Sequence, residues 1–561
     1  MGYDEVIGYL GDFGRYQKQI YFLLCLPAIS CAFHKLAGVF LLAKPDFRCV
    51  LPFEHEQNVS YELPAHIWKL SYPPTELGDK FQTCEYYNAN YTFDYLNGST
   101  PNSANGTAQC SAYVYDKSQY ENSAVTEWNM VCHRSLLAAT SDSLFMVGVL
   151  LGSIIFGQLS DKYGRKPIFF ASLVIQVIFG ILAGIAPEYF TYTISRMIIG
   201  ATTSGVFLVA YVIAMEMVGP SRRLFAGVAC QMFFSVGFML TAGFAYFIHD
   251  WRWLQIALTL PGLAFMCYHW IIPESARWLL SKGRKSEAVV VIQKAAKVNG
   301  VVIPSEVYDN LIDEEEEKKK QETKDPNEKA PNVFDLLKYP NLRRKTLLIF
   351  FDWFVNSGTY YGLSWNTNNL GGNVLLNFMI SGAVEIPGYT FLLFTLNRWG
   401  RRTILCGCML AAGVALLLTV IVPADTNWLI IALAMFGKLA ITAAYGTIYI
   451  FSAEQFPTVV RNVGLGASSM MARVGGILAP YLNLLGQIWR PLPLIICGAL
   501  AFTGGLLSLL LPETHNKPML ETIADGEMFG KKQRKCDVAE NGEELAVIMA
   551  GKNGKPNGEA A

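Results

Sequence analysis

The chain has 561 residues with 45 basic and 45 acidic side chains, so its formal net charge is zero. That balance gives no argument for binding to nucleic acid or to an acidic partner. With 52% apolar residues and a mean hydropathy of +0.29, composition points toward a membrane, and segmentation decides it.

The opening stretch, MGYDEVIGYLGDFGRYQKQIYFLLC, is too long and too acidic before its apolar run to be a cleaved signal peptide. Residues 1–19 therefore read as a polar N-terminus and the first span as an uncleaved anchor. Apolar runs near 20–42, 140–160, 168–188, 191–213, 224–247 and 253–272 are each long enough for a hydrocarbon core of about 30 Å. A second set falls near 346–365, 374–395, 403–423, 428–451, 459–485 and 492–511. The expected fold is an all-α membrane protein with twelve transmembrane helices in two six-helix halves, 20–272 and 346–511, around a central cavity.

The loop 43–135 carries four acceptor sequons, at Asn58, Asn90, Asn97 and Asn105, and four cysteines, Cys49, Cys84, Cys110 and Cys132. Together they fit a glycosylated, oxidised compartment. Three disulfide pairings remain open. The segment 273–345 links the halves, opening with the amphipathic KSEAVVVIQKAAKV and running into the solvated charge run DEEEEKKKQETKDPNEK. Residues 512–561 read as a largely disordered polar tail. The short loops SDKYGRKP, SRRL and LNRWGRRT and Arg461 put Lys and Arg on one side. By the positive-inside bias, both termini are cytosolic and the long loop is outside. GVLLG at 148–152 is a small-xxx-small match that predicts close helix packing.

FGQLSDKYGRKPIFF after the second span and LFTLNRWGRRTILCG after the eighth share one spacing: helix end, polar residue, aromatic, Gly-Arg-basic, next span. At these residues the chain resembles the major facilitator superfamily. PESARWLL (273–280) and LPETHNKPML (511–520) narrow the resemblance to the sugar-porter and organic-ion branches. TEWNMVC (126–132), DFGRYQKQ (12–19), EQFPTVVRN (454–462) and the large first loop make it similar to the organic ion transporters. That solute carrier group handles organic cations, carnitine-like zwitterions and organic anions. The resemblance implies a plasma-membrane protein of twelve helices that moves small organic ions by alternating access.

Charges inside the spans are expected to face the protein interior or a water-filled cavity. Asp142 and Arg196 read as a structural ion pair, and His34 sits beside Lys35. Asp352, about 9 Å from the end of its apolar run, reads as gating or solvated. Glu216 with Arg222 or Arg223, and Glu454 with Arg461, read as repeated gate pairs with the GRK and GRR loops. Asp161, Arg165, Arg401 and Arg402 complete that gate, which is expected to stabilise the outward-facing state by closing the cytosolic side through ion pairs between the halves. Glu385 and Lys438 fall near the midplane, about 15–18 Å into their spans. Arg473, about 18 Å from Arg461, and Lys35 add cations to the candidate substrate site. Aromatic walls come from Phe33, Tyr211, Phe233, Phe234, Tyr360, Tyr361, Tyr445 and Tyr449, which suit an ammonium group through cation–π attraction.

Three readings of Arg473 stand: neutralised by Glu385, holding the carboxylate of a zwitterion, or selecting organic anions with Lys438 and Lys35. Organic cations or zwitterions lead, and organic anions are the alternative. A non-transporting receptor or channel is remoter. No Walker A loop, G-x-S-x-G elbow or zinc-spaced Cys/His cluster appears in the spans, so no enzyme, cofactor or metal is expected. The expected partners are small organic ions and the lipid bilayer, with no nucleic acid. The sequence sets no oligomeric state, and a monomer suffices.

Overall fold

The computed structural model describes residues 3–52, 54, 59–74, 81–88, 106–304, 307–308, 332–423 and 426–530. The glycosylation candidates Asn58, Asn90, Asn97 and Asn105 lie outside them, as do most of the linker's charge run and the tail beyond 530. In the first half, α1 is Arg15–Leu36, α2 Ser135–Tyr163, α3 Arg165–Gly184, α4 Tyr189–Met217 and α5 Arg223–Phe247. The sixth, α6, runs through Trp251–Thr259 and Pro261–Met266, broken where Pro261 removes a backbone donor. In the second half, α7 is Pro340–Trp365, and α8 runs through Val374–Ala383 and Glu385–Trp399. Then follow α9 Arg401–Leu418, α10 Asn427–Gln455, α11 Arg461–Leu484 and α12 Leu492–Ser508.

Among the described residues, eight helices are long and apolar enough to cross a membrane by length and composition. Helix α7 falls short because its interior face is polar: Asn356, Ser357, Thr359, Tyr360, Tyr361 and Ser364 are all buried. Most spans overrun their apolar stretches. Helix α7 begins six residues before the predicted 346, and its first turn is capped by Glu527, which accepts from the N–H groups of Asn341 and Leu342.

The long loop folds over one end, hereafter the loop end. It adds two short antiparallel ribbons to the helical plan, Phe47–Cys49 with Tyr113–Tyr115 and Glu85–Tyr87 with Thr107–Gln109. Three-residue strands are too short for an alternating pattern to reveal. Disulfides Cys49–Cys110 and Cys84–Cys132 join them, choosing one of the three pairings. Arg252, at the start of α6, ties this cap down through an ion pair with Glu127.

At the opposite, basic end, Gly164 (φ 114°) and Gly400 (φ 85°) turn the chain sharply in conformations that side chains rarely adopt. Each turn is clasped by a glutamate. Glu274 accepts from the N–H groups of Arg165 and Lys166, and Glu513 from those of Arg401 and Arg402. These carboxylates satisfy the orphan donors and the positive end of α3 and α9.

The halves touch at the loop end. Ser143 donates to the Ile477 carbonyl at 2.8 Å, Asn368 to the Val39 carbonyl at 3.3 Å, and the Phe40 and Phe378 rings meet at 4.8 Å. At the basic end, the ion pairs among the described residues stay within a half. Arg165 holds Asp161 and Glu216, and Arg401 holds Glu454. The expected inter-half gate, which would close this end in the outward-facing state, is not formed in this conformation, where the halves meet at the loop end. The partners of Glu216 and Glu454 are the arginines of the turns, not Arg222, Arg223 or Arg461. Arg461 instead reaches the Phe456 carbonyl, and Arg402 the Leu511 carbonyl.

Candidate functional site

Between the halves lies a cavity of about 120 Å³. Its first-half wall is Cys31 and Lys35 of α1, Met146 and Val149 of α2, Thr203, Ser204 and Phe207 of α4, and Gln231 and Phe234 of α5. Its second-half wall is Ser357, Tyr360 and Tyr361 of α7, Tyr389 of α8, Tyr445, Gly446 and Tyr449 of α10, and Arg473 of α11. Glycines bring α11 in: a Cβ on Gly475 would lie 2.4 Å from the Phe354 carbonyl, so α7 and α11 touch backbone to backbone. That contact positions Arg473 beside the tyrosines.

The tyrosines form a continuous wall. Tyr360 stacks on Tyr445 at 5.8 Å, Tyr361 stands edge-on to Tyr360 at 5.1 Å, and Tyr445 meets Tyr449 at 5.6 Å. Trp353 backs Tyr449 at 4.4 Å, with its indole N–H given to Ser452.

Two cations face this cavity, and neither forms an ion pair among the described residues. Lys35 Nζ lies 5.1 Å from the centre of Tyr361 and 5.8 Å from that of Phe234. Arg473 Nη1 donates to Ser469 Oγ at 2.7 Å, one turn back on its own helix, and its Nε has no hydrogen-bond partner. The reading in which Glu385 neutralises Arg473 is therefore corrected: Glu385 is taken. Its Oε1 lies 3.1 Å from Lys438 Nζ and accepts from Tyr360 Oη at 2.6 Å, while Oε2 accepts from Ser235 Oγ at 2.7 Å. Lys438 lies against the Tyr360 ring, 3.3 Å from its centre, and donates to the Tyr360 carbonyl and to Ser364. At 0% and 1% side-chain exposure, Glu385 and Lys438 are behind the wall, outside the cavity lining.

Of the other expected site residues, Lys35, Phe234, Tyr360, Tyr361, Tyr445, Tyr449 and Arg473 line the cavity. Phe33 does not; it is buried against Phe244. Tyr211 stacks behind Phe207, and Phe233 packs on Phe22. Asp142 and Arg196 pair at 3.0 Å, with Arg196 also donating to the His34 carbonyl. Cys31, Phe207, Gln231, Ser357 and Tyr389 line the site without having been singled out in the sequence. Glu274 and Glu513 were also missed as clasps, although Pro-Glu recurs after the sixth and twelfth spans.

Residues 90–524 match the sugar (and other) transporter family. The chain belongs to that family. The transporter is 75% identical over 556 residues to the organic cation transporter protein of Drosophila melanogaster, covering 99% of this chain and 100% of that one. It is 36% identical to human organic cation/carnitine transporter 2, covering 98% and 99%. In fold it resembles the major facilitator proton:xylose symporter XylE, with a TM-score of 0.57 at 14% identity over 90% of this chain and 98% of that one. The organic-ion branch expected from PESARWLL and TEWNMVC is thus upheld, as is the major facilitator fold.

Proposed function

We propose that this transporter carries a small zwitterion, an ammonium or quaternary amine joined to a carboxylate, by alternating access across the plasma membrane. One observation carries the reading: Arg473 and Lys35 face the cavity without a carboxylate, while the nearby acid Glu385 is bound by Lys438. A cavity wall with two cations unmatched among the described residues is complementary to a carboxylate, which a guanidinium can hold with two parallel hydrogen bonds. The tyrosine wall offers the other end of the substrate cation–π contacts worth about 0.5–2 kcal/mol each. The name of the carnitine-transporting relative agrees with this dual chemistry.

The second reading, a simple organic cation, is favoured by the same rings and by the name of the relative at 75% identity. In either case both termini are cytosolic, the loop 43–135 is outside and carries glycans on Asn58, Asn90, Asn97 and Asn105, and the loop-end contacts are the outer closure. The arginine-bearing turns then brace each half separately at the cytosolic face. Initial uptake of labelled carnitine, tetraethylammonium and a monocarboxylate by cells expressing the transporter tests the reading. Carnitine should be taken up saturably and fastest; uptake of tetraethylammonium alone would select the second reading.

A further inference from the structure

Asp352 lies outside the cavity, fully buried where α7 meets α9 and α12. The sequence placed it near a helix end, but α7 begins at Pro340, so Asp352 is twelve residues, about 18 Å, into the helix. Its Oδ2 is 2.7 Å from Ser508 Oγ on α12, and its Oδ1 has no hydrogen-bond partner among the described residues. Ser508 Oγ is also 2.8 Å from the Gly504 carbonyl, the back-bond of a serine inside a helix.

A hydroxyl has one proton to give. If the Gly504 carbonyl takes it, the short Asp352–Ser508 contact requires the proton to be on the carboxyl. If Asp352 takes it, a carboxylate is left in the protein interior with one hydrogen bond and no ion-pair partner among the described residues. An uncompensated buried charge costs several kcal/mol, so the protonated form wins.

The surroundings supply no rescue. Asn356 gives its amide to the Asp352 backbone carbonyl and to Met409 Sδ, not to the carboxyl. On α9 the titratable neighbour is the Cys406 thiol, with Arg401 and Arg402 at the helix start engaged by Glu454 and the Leu511 carbonyl. On α10 Glu454 is held by Arg401 and Thr514. On α11 Arg461 reaches the Phe456 carbonyl, and Arg473 faces the cavity. Helix α12 contributes no acidic or basic residue, only Cys497. Lower on α7, Lys345 donates to the Gly526 carbonyl.

We infer that Asp352 is a proton-binding site that couples transport to the proton gradient. The carboxyl holds its proton in this conformation and loses it when α7 moves. Helix α7 also carries Ser357, Tyr360 and Tyr361 of the cavity wall, so rearrangement around a substrate displaces the acid from Ser508. Once water reaches the carboxyl, its O–H bond breaks and the proton passes to that water. The return stroke takes a proton from water on the opposite side of the membrane back onto the carboxylate, so one proton crosses per cycle.

The inference rests on the transporter reading, and two measurements on the purified full chain separate their failures. Infrared difference spectra of wild type against Asp352→Asn at neutral pH should show the carbonyl stretch of a protonated, dehydrated carboxylic acid. Its absence overturns the inference whatever the protein transports. In liposomes, carnitine entry by the wild type should move protons, and a pH gradient should shift accumulation by up to about tenfold per unit. Asp352→Asn should keep carnitine counterflow at equal pH yet lose both proton movement and gradient dependence, and Asp352→Glu should restore them. Equal gradient dependence in wild type and Asp352→Asn overturns the coupling; absent carnitine counterflow in both is a failure of the zwitterion reading, and the infrared result then decides the proton site.

Discussion

Lys438→Met isolates the energetics of the buried pair behind the tyrosine wall. The substitution roughly preserves side-chain volume but removes the cation 3.1 Å from Glu385 Oε1. Glu385 then keeps only the hydroxyls of Ser235 and Tyr360, at 0% exposure. Breaking one side of a buried ion pair costs about 3–5 kcal/mol, whereas replacing both partners with neutral groups is often close to neutral. The full cycle, Lys438→Met, Glu385→Gln and the double variant, can be read by thermal unfolding of the detergent-purified transporter at a fixed scan rate. Each single variant should unfold several degrees below wild type, and the double variant should recover most of the loss. Single losses of that size with a near-neutral double variant imply a coupling energy of at least about 3 kcal/mol, at the top of the range for groups in direct contact. Additive losses, or a Lys438→Met variant as stable as wild type, would refute the reasoning.

Three further outcomes follow from the packing and the cap. A Cβ on Gly148 would sit 1.9 Å from the Met197 carbonyl, so Gly148→Leu should separate α2 from α4 and abolish surface expression, measured by biotinylation. Non-reducing peptide mapping should recover Cys49–Cys110 and Cys84–Cys132, and Cys84→Ser with Cys132→Ser should lower stability by about 2–5 kcal/mol. Partial burial raises the Glu127 pKa, but hydrogen bonds from Arg252 and Trp251 outweigh it and hold the carboxyl below its ordinary value. The cap's attachment to α6 should therefore be fully present above the ordinary glutamate pKa of about 4.3 and weaken as pH falls through the lower folded value. Hydrogen exchange of residues 124–134 across acid pH reads this directly.

What the sequence revealed was depth; what it concealed was partnership. Apolar runs located the twelve spans, and counting 1.5 Å per residue placed Arg473, Glu385 and Lys438 near the middle. Which cation meets Glu385 depends on how α8 and α10 are rotated against one another, and no single-helix pattern contains that rotation. Asp352 was misplaced because the apolar run begins after three consecutive basic residues, whereas the helix starts before them, at Pro340. The pairing of the charges at the basic end was hidden for a related reason. A repeated Gly-Arg turn announces that its charges are organised, but the capping glutamates Glu274 and Glu513 organise them within each half. Phe33 and Tyr211 show that an aromatic on a spanning helix is core packing as readily as cavity wall.

The central claim is that Arg473 receives the substrate's carboxylate, and charge reversal tests it most directly. Uptake of labelled carnitine and tetraethylammonium should be compared in wild type and Arg473→Asp at matched surface expression. Hydrogen bonds to a charged group contribute about 1.5–3 kcal/mol, so carnitine uptake at low concentration should fall by roughly 10- to 100-fold. Tetraethylammonium uptake, which needs no carboxylate partner, should hold or rise. Carnitine uptake unchanged by Arg473→Asp would contradict the account.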